Sequence, residues 1–249
     1  MGDGNTNPKK RKSKWNTSYC TMTMAQAEKR LGFRLDLLDE LPVEEMLGIA
    51  ASNKRMGDPE TEQLRKTKEE VYRLMGRYLR IEGKPTEADS DFKETNINHL
   101  AFSILSPILD DFMVSSGRQG LRLRTEKDIV SKDGETGGTE AVVVIDRITY
   151  DDEKSILVVE AKRSSLGQAL KMCLLVLKDM GDNNDDGSKV YGFVTTGKSW
   201  KMIEYDGVSF RMTEEMIALF PRMGKDKERW MASYAVVVEC IYLALSLLS

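Results

Sequence analysis

The sequence predicts an α/β protein, a mixed sheet flanked by helices, preceded by a helical appendage and a basic tail. Three observations carry this. Two strongly apolar, β-branched runs at residues 141–148 and 156–159 are joined by a short acidic connection at Asp151, Asp152 and Glu153. A helix-spaced stretch follows, with Leu166, Leu170, Cys173, Leu174 and Leu177 on one face. Two further strand-like runs, 190–195 and 200–205, then surround Gly197.

Residues 1–20 hold few apolar side chains and many Gly, Asn, Lys and Ser, the composition of a disordered tail. Within them Pro8, Lys9, Lys10, Arg11 and Lys12 form an uninterrupted basic run that resembles a monopartite nuclear import signal. It implies an import receptor as partner and a nuclear location, with the cytoplasm as the alternative. The apolar run of a secretory signal peptide is missing at the start. Residues 21–84 read as a separate helical segment. Two short amphipathic stretches, 25–38 and 42–51, precede a longer helix at 60–80 with Leu64, Val71, Met75 and Tyr78 on one stripe. A linker runs from Gly83 to Ser90.

Residues 91–249 read as the main domain, in the order α-β-β-β-α-β-β. Residues 94–113 are helical by apolar spacing, with a kink expected at Pro107. Residues 121–130 alternate as a strand and end in a loop with Gly134, Gly137 and Gly138. After the two apolar strands, Ser164 or Ser165 caps a helix expected to reach Met180 and stop at Gly181. A polar loop at 182–188 leads into the hairpin around Gly197.

Composition narrows the chemistry. The net charge of -3 gives no global attraction to nucleic acid, so such a partner needs a local basic patch. Cys20, Cys173 and Cys240 are far apart and odd in number, which reads as reduced thiols and not a disulfide frame or zinc site. His99 is the only histidine, which excludes two-histidine metal motifs and zinc-deaminase ligation. Catalysis is therefore left to carboxylates, lysines and a metal.

Two strings mislead. Gly192 to Ser199 fits the phosphate-loop pattern G-x-x-x-x-G-K-[ST], but a phosphate loop opens a helix, and the residues after Ser199 alternate like a strand. Residues 231–248 are apolar enough to suggest a tail anchor, yet Glu239 sits near their centre at a cost of about 2.5–3.5 kcal/mol in a bilayer. A buried C-terminal helix explains the same pattern.

The chemistry-bearing stretch is Ile156-Leu157-Val158-Val159-Glu160-Ala161-Lys162, in which two-residue spacing puts Glu160 and Lys162 on one face. The preceding strand carries Glu140 and Asp146, also at even spacing. A turn centred near Asp152 sets Val144 opposite Glu160, with Asp146 two residues and Glu140 four residues from that position. Two carboxylates suit Mg²⁺ (or Mn²⁺), a hard cation that keeps several waters. A neighbouring lysine can orient water and stabilise charge growing on phosphorus.

The α-β-β-β-α-β order, with an acid before or on the second strand and Glu-x-Lys ending the third, resembles the PD-(D/E)XK nuclease superfamily. Residues 138–163, followed by Tyr191-Gly192-Phe193-Val194-Thr195-Thr196-Gly197 and Trp200, are similar to the nuclease-like domains of fungal and Crinkler-type effector proteins. The resemblance covers residues 91–220 and implies a restriction-endonuclease-like αβββαβ core. It implies a Mg²⁺-dependent nuclease acting on DNA or RNA. The alternative is a catalytically inactive, nuclease-derived module that binds nucleic acid or a host protein. Glu160 and Lys162 carry over onto the family's Glu-x-Lys. The upstream metal-binding acid falls on Glu140, in Gly137-Gly138-Thr139-Glu140, or on Asp146. The glutamate often found on the helix before the sheet falls on Glu94, and the glutamine on the following helix on Gln168.

Overall fold

A computed structural model describes residues 14–52, 62–86, 88–149, 152–164, 166–184 and 186–246. The basic run at residues 8–12 lies outside them. The first half comprises β1 (Thr17–Ser18), α1 (Met24–Leu31), β2 (Glu40–Leu41), α2 (Val43–Ser52), α3 (Glu62–Ile81) and α4 (Glu94–Ser116). The sheet region follows with β3 (Leu121–Arg124), β4 (Lys127–Val130), β5 (Thr136–Glu140), β6 (Val142–Arg147), β7 (Glu153–Ala161), α5 (Leu166–Asn183), β8 (Val190–Thr195) and β9 (Ser199–Tyr205). The chain closes with β10 (Phe210–Thr213), β11 (Met216–Ile217), α6 (Lys227–Ser233) and α7 (Val236–Ser246).

The main sheet is mixed, in the order β2-β10-β9-β8-β7-β6-β3, with β11 also on β9. The strand β7 pairs antiparallel with β6 and parallel with β8, and α5 makes the crossover between the parallel pair. Central strands are apolar on both faces because both faces are covered. Val142, Val144, Leu157 and Val159 pack toward α3, α4 and α7, whereas Val143, Ile145 and Val158 pack toward α5. The architecture is therefore α/β, with helices on both sides of a mixed sheet.

A second, three-stranded sheet, β1-β5-β4, lies beside α5. It differs from the expected loop. Gly137 and Gly138 are strand residues, and they are glycine because aromatic rings lie against them. A Cβ on Gly137 would come within 2.7 Å of Trp15, and one on Gly138 within 2.6 Å of Tyr19. The predicted single strand over 121–130 is likewise two strands in different sheets, broken where Glu126 takes a φ of 54°.

The expected division at residue 20 and the separate appendage over 21–84 differ from what is found. Thr17 and Ser18 pair with Thr136 and Gly137, and β2 pairs with β10 at the edge of the main sheet. Tyr19 is fully buried and donates to Asp179 at 2.7 Å. The same carboxylate accepts from Arg30 at 2.7 Å and from the Thr136 hydroxyl at 2.8 Å. A buried carboxylate needs such a full set of donors. Residues 14–20 of the expected tail are held because two rings, Trp15 and Tyr19, dock on glycines far away in sequence. The long helix α3 packs on α4.

The helix α5 also overruns its expected stop. Gly181 is helical, and it is needed where the Tyr205 ring would meet a Cβ at 2.7 Å. The turn at Gly197 is a hairpin, with φ +82° and Thr196 N–H donating to Ser199 O at 3.1 Å. Ser199 begins β9 and no helix opens there, so the phosphate-loop string has no phosphate-loop geometry. Among the described residues no helix is long and apolar enough to cross a membrane. The 11-residue α7 is buried, and its Glu239 meets the buried Lys68 at 2.9 Å.

Candidate active site

The apolar run of β7 ends in the middle of the main sheet, where Glu160 pairs with Val194 and Ala161 with Thr195 of β8. The Lys162 N–H then donates to Thr195 O at 2.9 Å, which holds the strand end against β8. Glu160 follows Val158 onto the α5 side of the sheet. Glu140, the last residue of β5, reaches the same side where the chain crosses from the small sheet into β6.

Glu140 and Glu160 meet there, 2% and 5% exposed, and their carboxyl groups are joined by a hydrogen bond. Two like charges cannot both be kept so close and so dry. Burial first, and then the neighbouring Glu160, push the Glu140 carboxyl from 4.5 up to about 9. At neutral pH the Glu140 carboxyl therefore keeps its proton. Lys162 Nζ lies 2.8 Å from Glu160 and 3.1 Å from Glu94, the first residue of α4. Burial disfavours the ammonium, but the two carboxylates outweigh it and the Lys162 pKa is raised. Cys173, on α5, is buried near the two glutamates. Its thiol is pushed well up by burial and by Glu160 and Glu140, which keeps it protonated.

The even spacing of Glu140 and Asp146 does not bring both to Glu160. Val142 pairs with Val159 and Val144 with Leu157, so the turn centres earlier than Asp152 and the expected pairing of Val144 with Glu160 is wrong. Asp146 instead faces Lys154, six residues before Glu160, or about 20 Å along the strand. There it is paired with Arg118. A bulge between Val144 and Ile145 adds a register shift that spacing rules do not contain. Glu140 escapes the argument altogether, since it belongs to another strand. Of the other expected residues, Glu94 holds Lys162. Gln168 lies exposed in the first turn of α5. His99 is outside the cluster, on α4, with Nδ1 3.0 Å from Glu82.

Among the described residues no three His, Cys, Asp or Glu side chains converge as a metal cage. The pair able to hold a cation is Glu140 and Glu160, whose oxygen donors suit a hard ion that keeps most of its water. The nearness of Cys173 and Tyr19 to Glu140 was not foreseen. A small residue signal, the two adjacent glycines before Glu140, marked the position without saying what lay against it. No protein-family model matches the chain, and no curated protein matches it either.

Proposed function

We propose that the chain is a Mg²⁺-dependent phosphodiesterase of the PD-(D/E)XK type, cutting DNA or RNA. The observation that carries this reading is the convergence of Glu140, Glu160 and Lys162 at the end of β7. The order α4-β3-β6-β7-α5-β8, with β4 and β5 as an insertion, supports the restriction-endonuclease-like core. Glu140 and Glu160 would bind the cation, and Glu140 would lose its proton to solvent as they do. When bound, Mg²⁺ (or Mn²⁺) supplies a Lewis acid that acidifies water and neutralises charge on the phosphorane. Lys162 orients the attacking water and stabilises the same charge. Glu94 positions Lys162, and Gln168 stands at the adjoining helix turn. The test is cleavage by the full chain in Mg²⁺ beside Lys162→Ala.

A second reading rests on one observation, the glutamate at position 140 where the family carries aspartate. Its longer side chain is protonated at neutral pH, and a module that only binds nucleic acid or a host protein needs no ionised pair. Cleavage separates the two readings.

The nucleus is the proposed location. Residues 8–12 are expected to drive nuclear accumulation through an import receptor. A fluorescent fusion lacking residues 1–14 should spread into the cytoplasm; one that stays as nuclear as the full chain refutes this.

A further inference from the structure

Glu140 and Glu160 are 2% and 5% exposed and joined to each other by a hydrogen bond, so neither a hydrated cation nor a phosphodiester reaches them as they stand. Mg²⁺ keeps several waters and needs room beside its acids. Something packed around the pair has to give way. On one side stand the central strand that carries Glu160 and the buried Cys173 of α5. On another is the segment before α1. The Tyr19 ring and Glu140 Oε1 lie 2.6 and 3.0 Å from the point where a Cβ on Gly138 would stand, so ring and carboxyl are neighbours. Cys20 follows beside the same carboxyl. Met22 O then accepts from Lys171 of α5 at 2.7 Å.

This segment is held more lightly than α5 or β7. Its strand β1 is two residues long and pairs only with the small sheet, in parallel with β5. Trp15 is half-buried on Gly137, and Lys14 and Asn16 meet Asp128 and Glu135 at the surface, where such contacts stabilise little. The deep anchor is Tyr19, whose hydroxyl donates to Asp179 at 2.7 Å. Asp179 also accepts from Arg30 and Thr136, so it keeps two donors when Tyr19 leaves. A short strand of this kind opens at a lower free energy than the central strands of a sheet.

We propose that residues 14–23 are a strap that closes over the Glu140–Glu160 pair and swings off to admit a hydrated cation and a phosphodiester. This rests on the nuclease reading for what must reach the pair, and it adds how the site is gated. Closed, the strap is autoinhibitory. Open, it leaves the Gly137–Gly138 stretch bare and the Glu140 carboxyl facing solvent.

The test locks the strap and reads the accessibility of Glu140 directly. Asn16 Nδ2 donates to Glu135 Oε1 at 3.1 Å, one step before the Thr17–Thr136 pair. Neighbouring strands lie about 4.8 Å apart, within the reach of a disulfide. The full chain therefore carries Asn16→Cys and Glu135→Cys, with Cys20→Ser to prevent mispairing. Coupling of glycine ethyl ester to Glu140 by a water-soluble carbodiimide is followed by peptide mass spectrometry, with the exposed Glu62 as the control. Oxidation is expected to slow labelling of Glu140 at least tenfold relative to the reduced protein. Trp15→Ala, which removes the ring docked on Gly137, should speed it by about tenfold or more. Equal labelling of oxidised and reduced protein, no labelling of Glu140 in any form, or indifference to Trp15→Ala overturns the inference. Labelling that follows the strap, without cleavage or Mg²⁺ binding, refutes the nuclease reading alone. Cleavage by the oxidised protein at the reduced protein's rate refutes only the strap.

Discussion

Lys162→Ala is expected to slow single-turnover cleavage by about 10²–10³-fold while leaving Mg²⁺ binding in place. The reasoning starts from where the ammonium sits. It touches Glu160 at 2.8 Å and Glu94 at 3.1 Å, so in the metal-free protein it competes with a cation for Glu160. Removing it takes away that competitor, and calorimetry should find Mg²⁺ bound as tightly as before or more tightly. What is lost is a donor aimed at water and at the charge that develops on the phosphorane, an interaction made only in the transition state. Glu160→Ala should fail differently. It deletes one of the two acids proposed to hold the cation, so Mg²⁺ binding itself should fall and cleavage with it. Equal losses of metal binding in both variants would mean that Lys162 is structural.

Glu140→Gln is expected to stabilise the metal-free protein by about 3 kcal/mol at pH 7. The Glu140 carboxyl has its pKa raised from 4.5 to about 9 by burial and by Glu160. Between those two values the folded state holds a proton that the unfolded state has released. Stability therefore falls as pH rises, by about 1.4 kcal/mol per unit, and levels off above about 9. Glutamine keeps the shape and has no proton to lose, so this slope should disappear. Urea denaturation from pH 4.5 to 9 should give curves that meet at the acid end and separate toward the alkaline end. Saturating Mg²⁺ should close the gap by stabilising only the wild type. A variant less stable than wild type at pH 8 would show that Glu140 does not hold the proton. A destabilised acid pair that a ligand relieves is a common mark of a functional site.

The parts of the fold that announced themselves were those with strong periodicity. The runs leading to Ile145 and Val159 are buried on both faces, and no other element would bury them so well. Gly197 and the alternation after it gave the hairpin. Tertiary contacts decided the rest. Gly137, Gly138 and Gly181 carry the signal of a loop or stop, but each is small because a ring of Trp15, Tyr19 or Tyr205 lies against it. Those partners are remote in sequence, so no local pattern contains them. At the site, Glu160 and Lys162 were legible because two-residue spacing on one strand is a local rule. The choice between Glu140 and Asp146 was not, since it depends on a bulge and on a chain crossing between two sheets.

The most direct measurement is single-turnover cleavage of single- and double-stranded DNA and RNA by the full chain, beside Glu140→Ala and Asp146→Ala. The account predicts cleavage in Mg²⁺ or Mn²⁺ that is lost with Glu140→Ala and kept with Asp146→Ala, because only Glu140 meets Glu160. No cleavage of any substrate with either ion, or activity that depends on Asp146 and not on Glu140, would contradict it.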